Sequence, residues 1–103
     1  MPSKSKSKGN ALERQIVNKG IKAGFTSKRG WGSVGFSLGK DKDVDLMIGE
    51  YCIQAKSRKK IADYLLIPDS CDFVVFKQDR GPMLALIYFD DLLGLLKHDY
   101  AGK

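Results

Sequence analysis

The chain lacks any apolar run approaching the ~20 residues that a helix needs to span a bilayer, so no membrane-crossing segment is expected. Its first nine residues, Met1-Pro2-Ser3-Lys4-Ser5-Lys6-Ser7-Lys8-Gly9, also lack the apolar stretch of a signal peptide. The location expected from these two absences is intracellular, in the cytoplasm. Cysteine is scarce. Cys52 and Cys71 form neither a C-x-x-C pair nor a disulfide framework, and nothing in them points to zinc or to an oxidising compartment. Histidine is represented by His98 alone, which sits in a leucine-rich segment and reads as a surface residue rather than a general base. No internal repeat is visible.

What is present is an ordinary globular composition with a lopsided charge. The 103 residues are 43% hydrophobic and 29% charged, which suits one domain with a small core. That domain is expected over residues 10–103, behind a flexible basic tail at 1–9 that carries Lys4, Lys6 and Lys8 and no acid. Net charge is +6 with a pI near 9.4. From Lys19 to Lys60 there are ten basic residues against four acids, Asp41, Asp43, Asp45 and Glu50. From Ile61 onward seven acids face four bases. Positive charge gathered in one stretch makes a polyanion the natural partner, the alternative being charge that only keeps a small domain soluble.

The hydrophobic pattern predicts alternating helices and strands. Asn10 reads as a helix N-cap, with Leu12, Ile16, Val17, Gly20 and Ala23 on one face and Gly24 as the stop. Phe25–Arg29 reads as a short strand, Gly30-Trp31-Gly32-Ser33 as a turn and Val34–Leu38 as extended chain. Val44–Ile48 and Tyr51–Lys56 read as strands joined by Gly49-Glu50, where Gly at the first loop position suits a type II′ turn. A helix is predicted over Arg58–Ile67, closed by Pro68. Buried strands are predicted at Phe73–Phe76 and Met83–Phe89, and a last helix opens at Asp90-Asp91 and carries Leu92, Leu93, Leu95 and Leu96. The order helix, three strands, helix, two strands, helix makes an α/β sandwich around a mixed sheet.

The hairpin register brings chemistry together. A Gly49-Glu50 turn pairs Ile48 with Tyr51, Met47 with Cys52, Leu46 with Ile53, Asp45 with Gln54, Val44 with Ala55 and Asp43 with Lys56. Alternation then places Val44, Leu46, Ile48, Tyr51, Ile53 and Ala55 on a core face, and Asp43, Asp45, Gln54 and Lys56 on the other. Opposed Cβ atoms lie about 4.5–5.5 Å apart, so Asp45 and Gln54 oxygens can converge on one cation beside the Lys56 ammonium. Carboxylate and amide oxygens suit Mg²⁺ or Mn²⁺ rather than zinc. The plain alternative is a polar sheet face with an Asp43–Lys56 ion pair.

The run Asp45-x₈-Gln54-Ala55-Lys56 resembles the PD-(D/E)xK nuclease motif. Its flanks extend the likeness: Glu13-Arg14 in the opening helix, Gly24-Phe25, and then Arg29-Gly30-Trp31-Gly32-Ser33. Over residues 9–60 the chain is similar to the archaeal-type Holliday junction resolvases. The resemblance implies a restriction-endonuclease-like core, a central mixed sheet of about five strands flanked by helices. It implies a metal-dependent endonuclease of recombination and repair that hydrolyses phosphodiester bonds in four-way junctions, leaving 5′-phosphate and 3′-hydroxyl ends. Branched double-stranded DNA would be the partner, Mg²⁺ the cofactor with Mn²⁺ substituting, and a symmetric homodimer the assembly.

Residue by residue, the resemblance places Glu13, Asp45 and Gln54 at metal-ligand positions, Lys56 as the catalytic lysine and Ser33 as the loop serine. Val44 stands where the motif has Pro, and Gln54 where it usually has an acid, which removes one negative charge from around the ion. Lys4, Lys6, Lys8, Lys28, Arg29, Arg58, Lys59 and Lys60 are the candidate DNA contacts. Each residue also has a structural reading. Glu13 can cap a helix begun at Asn10, Ser33 can be a turn residue, and Trp31 can serve packing or a dimer contact as well as DNA. Arg58-Lys59-Lys60 can be a solvated helix start, Cys52 a bystander, and the Leu92–Leu96 and Met83–Phe89 segments either core or dimer interface. The rival functions are a superfamily nuclease acting on flaps or ends, and a non-catalytic basic DNA-binding module.

Overall fold

A computed structural model of the protein describes residues 4–30 and 43–101, with the side chains at 4–8 and 99–101 left aside. The predicted turn at Trp31-Gly32-Ser33 and the extended stretch Val34–Leu38 lie outside the described residues. The described chain is mixed α/β and forms two compact units, which divide between Ser57 and Arg58. Among the described residues, no helix is long and apolar enough to cross a membrane.

The first unit opens with helix α1, Lys4–Lys22. It begins six residues before Asn10, so Asn10 is not its N-cap, Glu13 is not a capping partner, and residues 4–9 of the expected tail are its first turns. Elongating an existing helix adds one hydrogen bond per residue fixed, and lysine is a good helix former, so α1 extends cheaply upstream. The other end stops where expected. Gly24 has φ +99°, its N–H donates to the Ile21 carbonyl at 3.0 Å, and the Phe25 N–H donates to the Gly20 carbonyl at 2.9 Å. These are the two bonds of a Schellman cap, with Phe25 as its buried apolar partner.

Three strands follow: β1 (Ser27–Arg29), β2 (Leu46–Ile48) and β3 (Tyr51–Ile53), antiparallel in the order β1-β2-β3. The pairs Ile48–Tyr51, Met47–Cys52 and Leu46–Ile53 are those predicted. Gly49 has φ +57° while Glu50 keeps negative φ, as a type II′ turn requires. As the middle strand, β2 is buried throughout: Leu46, Met47 and Ile48 join Phe25 in the core. The predicted two-faced alternation is corrected here, since Met47 is buried on the supposed polar face and Tyr51 is 39% exposed on the supposed core face. Gly20 lets α1 approach this sheet closely. A Cβ there would press on Ser27 Oγ and on Ile48 side-chain carbons at 3.1 Å.

In the second unit, the predicted helix over 58–67 is replaced by one 3₁₀ turn, Asp63–Leu65, flanked by extended Ala62 and Leu66. Pro68 disfavours helical backbone at Ile67, so a helix there would have to end early. Then come β4 (Phe73–Lys77) and β5 (Met83–Ile87), an antiparallel pair, and α2 (Phe89–Ala101) with Asp90 and Asp91 in its first turn. The described strands therefore make a three-stranded and a two-stranded sheet. β4 and β5 are less buried than predicted: Phe73, Val75, Met83 and Leu84 are all more than half exposed, whereas Val74, Phe76 and Leu86 are half-buried. Leu93 is the buried anchor of α2, and His98 is exposed as expected.

Two glycines of α1 should respond oppositely to the same change. Gly9→Ala meets nothing within 4 Å and removes a flexible residue from the helix, so it should stabilise by about 0.5–1 kcal/mol. Gly20→Ala forces α1 off Ser27 and Ile48 and should destabilise by about 1–3 kcal/mol. Urea midpoints at unchanged slope measure both; equal effects of the two changes would contradict this packing.

Candidate functional site

Glu13 is the buried charged residue among those described, 5% exposed on the inner side of α1. A carboxylate out of water needs a partner. Arg29, the last residue of β1, supplies it: its Nε donates to Glu13 Oε1 at 3.2 Å, and its Nη2 donates to Asn10 Oδ1 at 3.1 Å. Asn10 and Glu13 lie three apart on α1 and so share a helix face.

The next residue, Gly30, donates its N–H to the Asp45 carbonyl at 3.1 Å. Asp45 stands just before β2 and is held at two further points. Its N–H donates to the Ile53 carbonyl at 2.9 Å, and its Oδ2 accepts the Ala55 N–H at 2.8 Å. The regular ladder ends at Leu46–Ile53, so the expected Asp45–Gln54, Val44–Ala55 and Asp43–Lys56 pairs lie beyond it. There a side chain takes over from the backbone: the Asp45 carboxylate satisfies an amide that the ladder no longer serves. β3 accordingly stops at Ile53, and Gln54, Ala55 and Lys56 form a loop rather than the strand end predicted.

The structure thus ties Glu13 and Asp45 to consecutive residues, Arg29 and Gly30. Gln54 and Lys56 are exposed on the loop whose Ala55 amide Asp45 holds. Carboxylate and amide oxygens are the donor types that Mg²⁺ or Mn²⁺ takes, and Glu13, Asp45 and Gln54 would supply them. Among the described residues there is no group of three His, Cys, Asp or Glu side chains arranged to hold a metal; Glu13, Asp45 and Gln54 include only two acids. Lys28, Arg58, Lys59 and Lys60 are exposed, whereas Arg29 is turned inward with its side chain 26% exposed. Lys4, Lys6 and Lys8 fall in the first turns of α1, and Ser33 lies outside the described residues.

Sequence reasoning named Arg29 as a candidate DNA contact and missed Glu13 and Asn10 as its partners within the chain. The signal was available in part. Glu13 falls between Leu12 and Ile16 on a helix with an apolar face, and a carboxylate there calls for a cation. Ser27 Oγ is also buried beneath Gly20, with no hydrogen-bond partner among the described residues. No protein-family model matches the chain, and no curated protein or solved structure matches it either.

The Asp45 contact separates two substitutions. Asp45→Asn retains a carbonyl oxygen for the Ala55 amide and should change stability by less than about 0.5 kcal/mol, while Asp45→Ala strands that amide and should cost about 1–2 kcal/mol. Hydrogen exchange at Ala55 should stay slow in Asp45→Asn and accelerate in Asp45→Ala. Fast exchange already in the unmodified protein would contradict the contact.

Proposed function

We propose that the protein is a metal-dependent endonuclease that hydrolyses phosphodiester bonds in branched duplex DNA, four-way junctions foremost, leaving 5′-phosphate and 3′-hydroxyl ends. The observation that carries the reading is that two acids from distant parts of the chain are tied to neighbouring residues: the Glu13 carboxylate to the Arg29 guanidinium, and the Asp45 backbone carbonyl to the Gly30 amide. Its frame is the likeness of Asp45-x₈-Gln54-Ala55-Lys56 and its flanks to the archaeal-type Holliday junction resolvases, with the restriction-endonuclease-like core and five-stranded sheet that this implies.

In this reading Glu13, Asp45 and Gln54 hold Mg²⁺, for which Mn²⁺ substitutes. A bound ion would supply Lewis-acid polarisation of the scissile phosphate and a water of lowered pKa. The chain's own residues do the rest. Lys56, exposed on the loop two residues after Gln54, neutralises charge developing on the phosphate and orients the nucleophile. Lys28, Arg58, Lys59 and Lys60, together with Lys4, Lys6 and Lys8, position the DNA through its phosphates without reading bases. Ser33 enters on the resemblance alone. A symmetric homodimer presents two equivalent sites to a substrate of near two-fold symmetry. The exposed apolar side chains Met83, Leu84 and Leu95 support β5 and α2 as its interface.

The discriminating experiment offers four-way, flap and linear duplex DNA at equal concentration, with and without Mg²⁺. Cutting should require the metal and be fastest on the four-way junction. Fastest cutting of flaps or ends would assign another nuclease activity, and metal-independent binding without cutting would leave a DNA-binding module. Lys56→Ala and Asp45→Asn should lower kcat by about 10²–10³-fold, while junction Kd stays within about twofold because binding is spread over many phosphates. Parallel loss of binding and cutting would mean that these residues serve the fold.

Gln54 tests the ligand set. Gln54→Glu adds a carboxylate, which attracts Mg²⁺ more strongly than a neutral amide. The Mg²⁺ concentration for half-maximal cutting should therefore fall in Gln54→Glu and rise in Gln54→Ala. Superimposable titrations of all three proteins would remove Gln54 from the site.

A further inference from the structure

Arg29 belongs to the basic stretch, yet its guanidinium is not presented as the other cations are. Lys28, Lys56, Arg58, Lys59 and Lys60 are exposed, whereas the Arg29 side chain is 26% exposed and is gripped along one edge. That edge consists of Nε, which donates to Glu13 Oε1 at 3.2 Å, and Nη2, which donates to Asn10 Oδ1 at 3.1 Å. A planar group held at two points on one edge cannot swing without breaking a bond. Its backbone is equally fixed, because Arg29 pairs with Leu46, a fully buried residue of the middle strand.

We infer that Arg29 and Asn10 are positioning residues: Asn10 orients the Arg29 guanidinium, which in turn orients the buried Glu13 carboxylate for the cation it binds. This rests on the nuclease reading, in which Glu13 is a metal ligand. Partners of metal-ligating carboxylates fix ligand orientation, and their loss commonly weakens metal binding by about 10–100-fold. A lysine cannot replace Arg29 here, since an ammonium is a point charge without the fork that engages Glu13 and Asn10 together. Arg29 also sets a positive charge beside a cation site. Substitutions that keep this charge therefore report geometry alone.

The test measures Mn²⁺ binding to DNA-free protein by calorimetry, and junction binding in EDTA across a range of salt. Wild type, Arg29→Lys, Arg29→Met and Asn10→Ala are compared at a temperature where circular dichroism shows each folded. Arg29→Lys and Asn10→Ala should bind Mn²⁺ about tenfold more weakly than wild type. Arg29→Met should leave the slope of log K against log salt unchanged. If Arg29 is instead a phosphate contact, Arg29→Met lowers that slope by about one and Arg29→Lys keeps wild-type Mn²⁺ affinity, which overturns the inference. Should the Arg29 variants fail to fold, Asn10→Ala decides alone, wild-type Mn²⁺ affinity counting against it. A wild-type protein that binds no Mn²⁺ would sink the nuclease reading and this inference together. Wild-type binding with unaffected variants would sink this inference only.

Discussion

The site depends on one constraint: a carboxylate buried to 5% exposure must be paired, and the pair must join two elements. Glu13 on α1 meets Arg29 at the end of β1, and Asn10, one turn earlier, holds the same guanidinium. An apolar pair at those positions would serve packing equally well or better, because desolvating two charges offsets much of their attraction. The ion pair also fixes where the Glu13 carboxylate points. It brings a carboxylate from the opening helix to the edge of the sheet that Asp45 also joins.

Asp45 adds the second half. The β2–β3 ladder ends at Leu46–Ile53, where a further amide, Ala55, would go unserved. The Asp45 side chain accepts it, while the Asp45 carbonyl accepts Gly30 from the other neighbouring strand segment. One residue thereby fastens three segments of chain. Packing behind it is tight: Leu46 and Ile48 are fully buried, and Gly20 brings α1 close enough that a methyl group would collide. A polar residue at a sheet end, backed by a filled core, is held in place without being enclosed.

Much of the first unit was legible because local rules and tertiary structure agree there. Gly24 follows a helical apolar stripe and needs positive φ, so the helix stops on it. Gly49-Glu50 lies between two alternating runs, and the hairpin register follows from the turn. Where local rules were overridden, legibility failed. Arg58–Ile67 has apolar residues at helical spacing, but Pro68 disfavours helical backbone before it and only a single 3₁₀ turn forms. Met47 looked outward by period, yet the middle strand of three is buried on both faces. Arg29 was legible as a cation of the basic stretch, but its partners within the chain were not. Those partners lie sixteen and nineteen residues away, a separation that no local pattern encodes.

The central claim is that Glu13 and Asp45 serve one divalent cation. The most direct measurement is anomalous diffraction from crystals grown with Mn²⁺. The account predicts a manganese peak within about 2.2 Å of carboxylate oxygens from both residues, with Arg29 still bonded to Glu13. A fully occupied peak elsewhere, or none at saturating Mn²⁺ while both carboxylates keep the contacts described above, would contradict it.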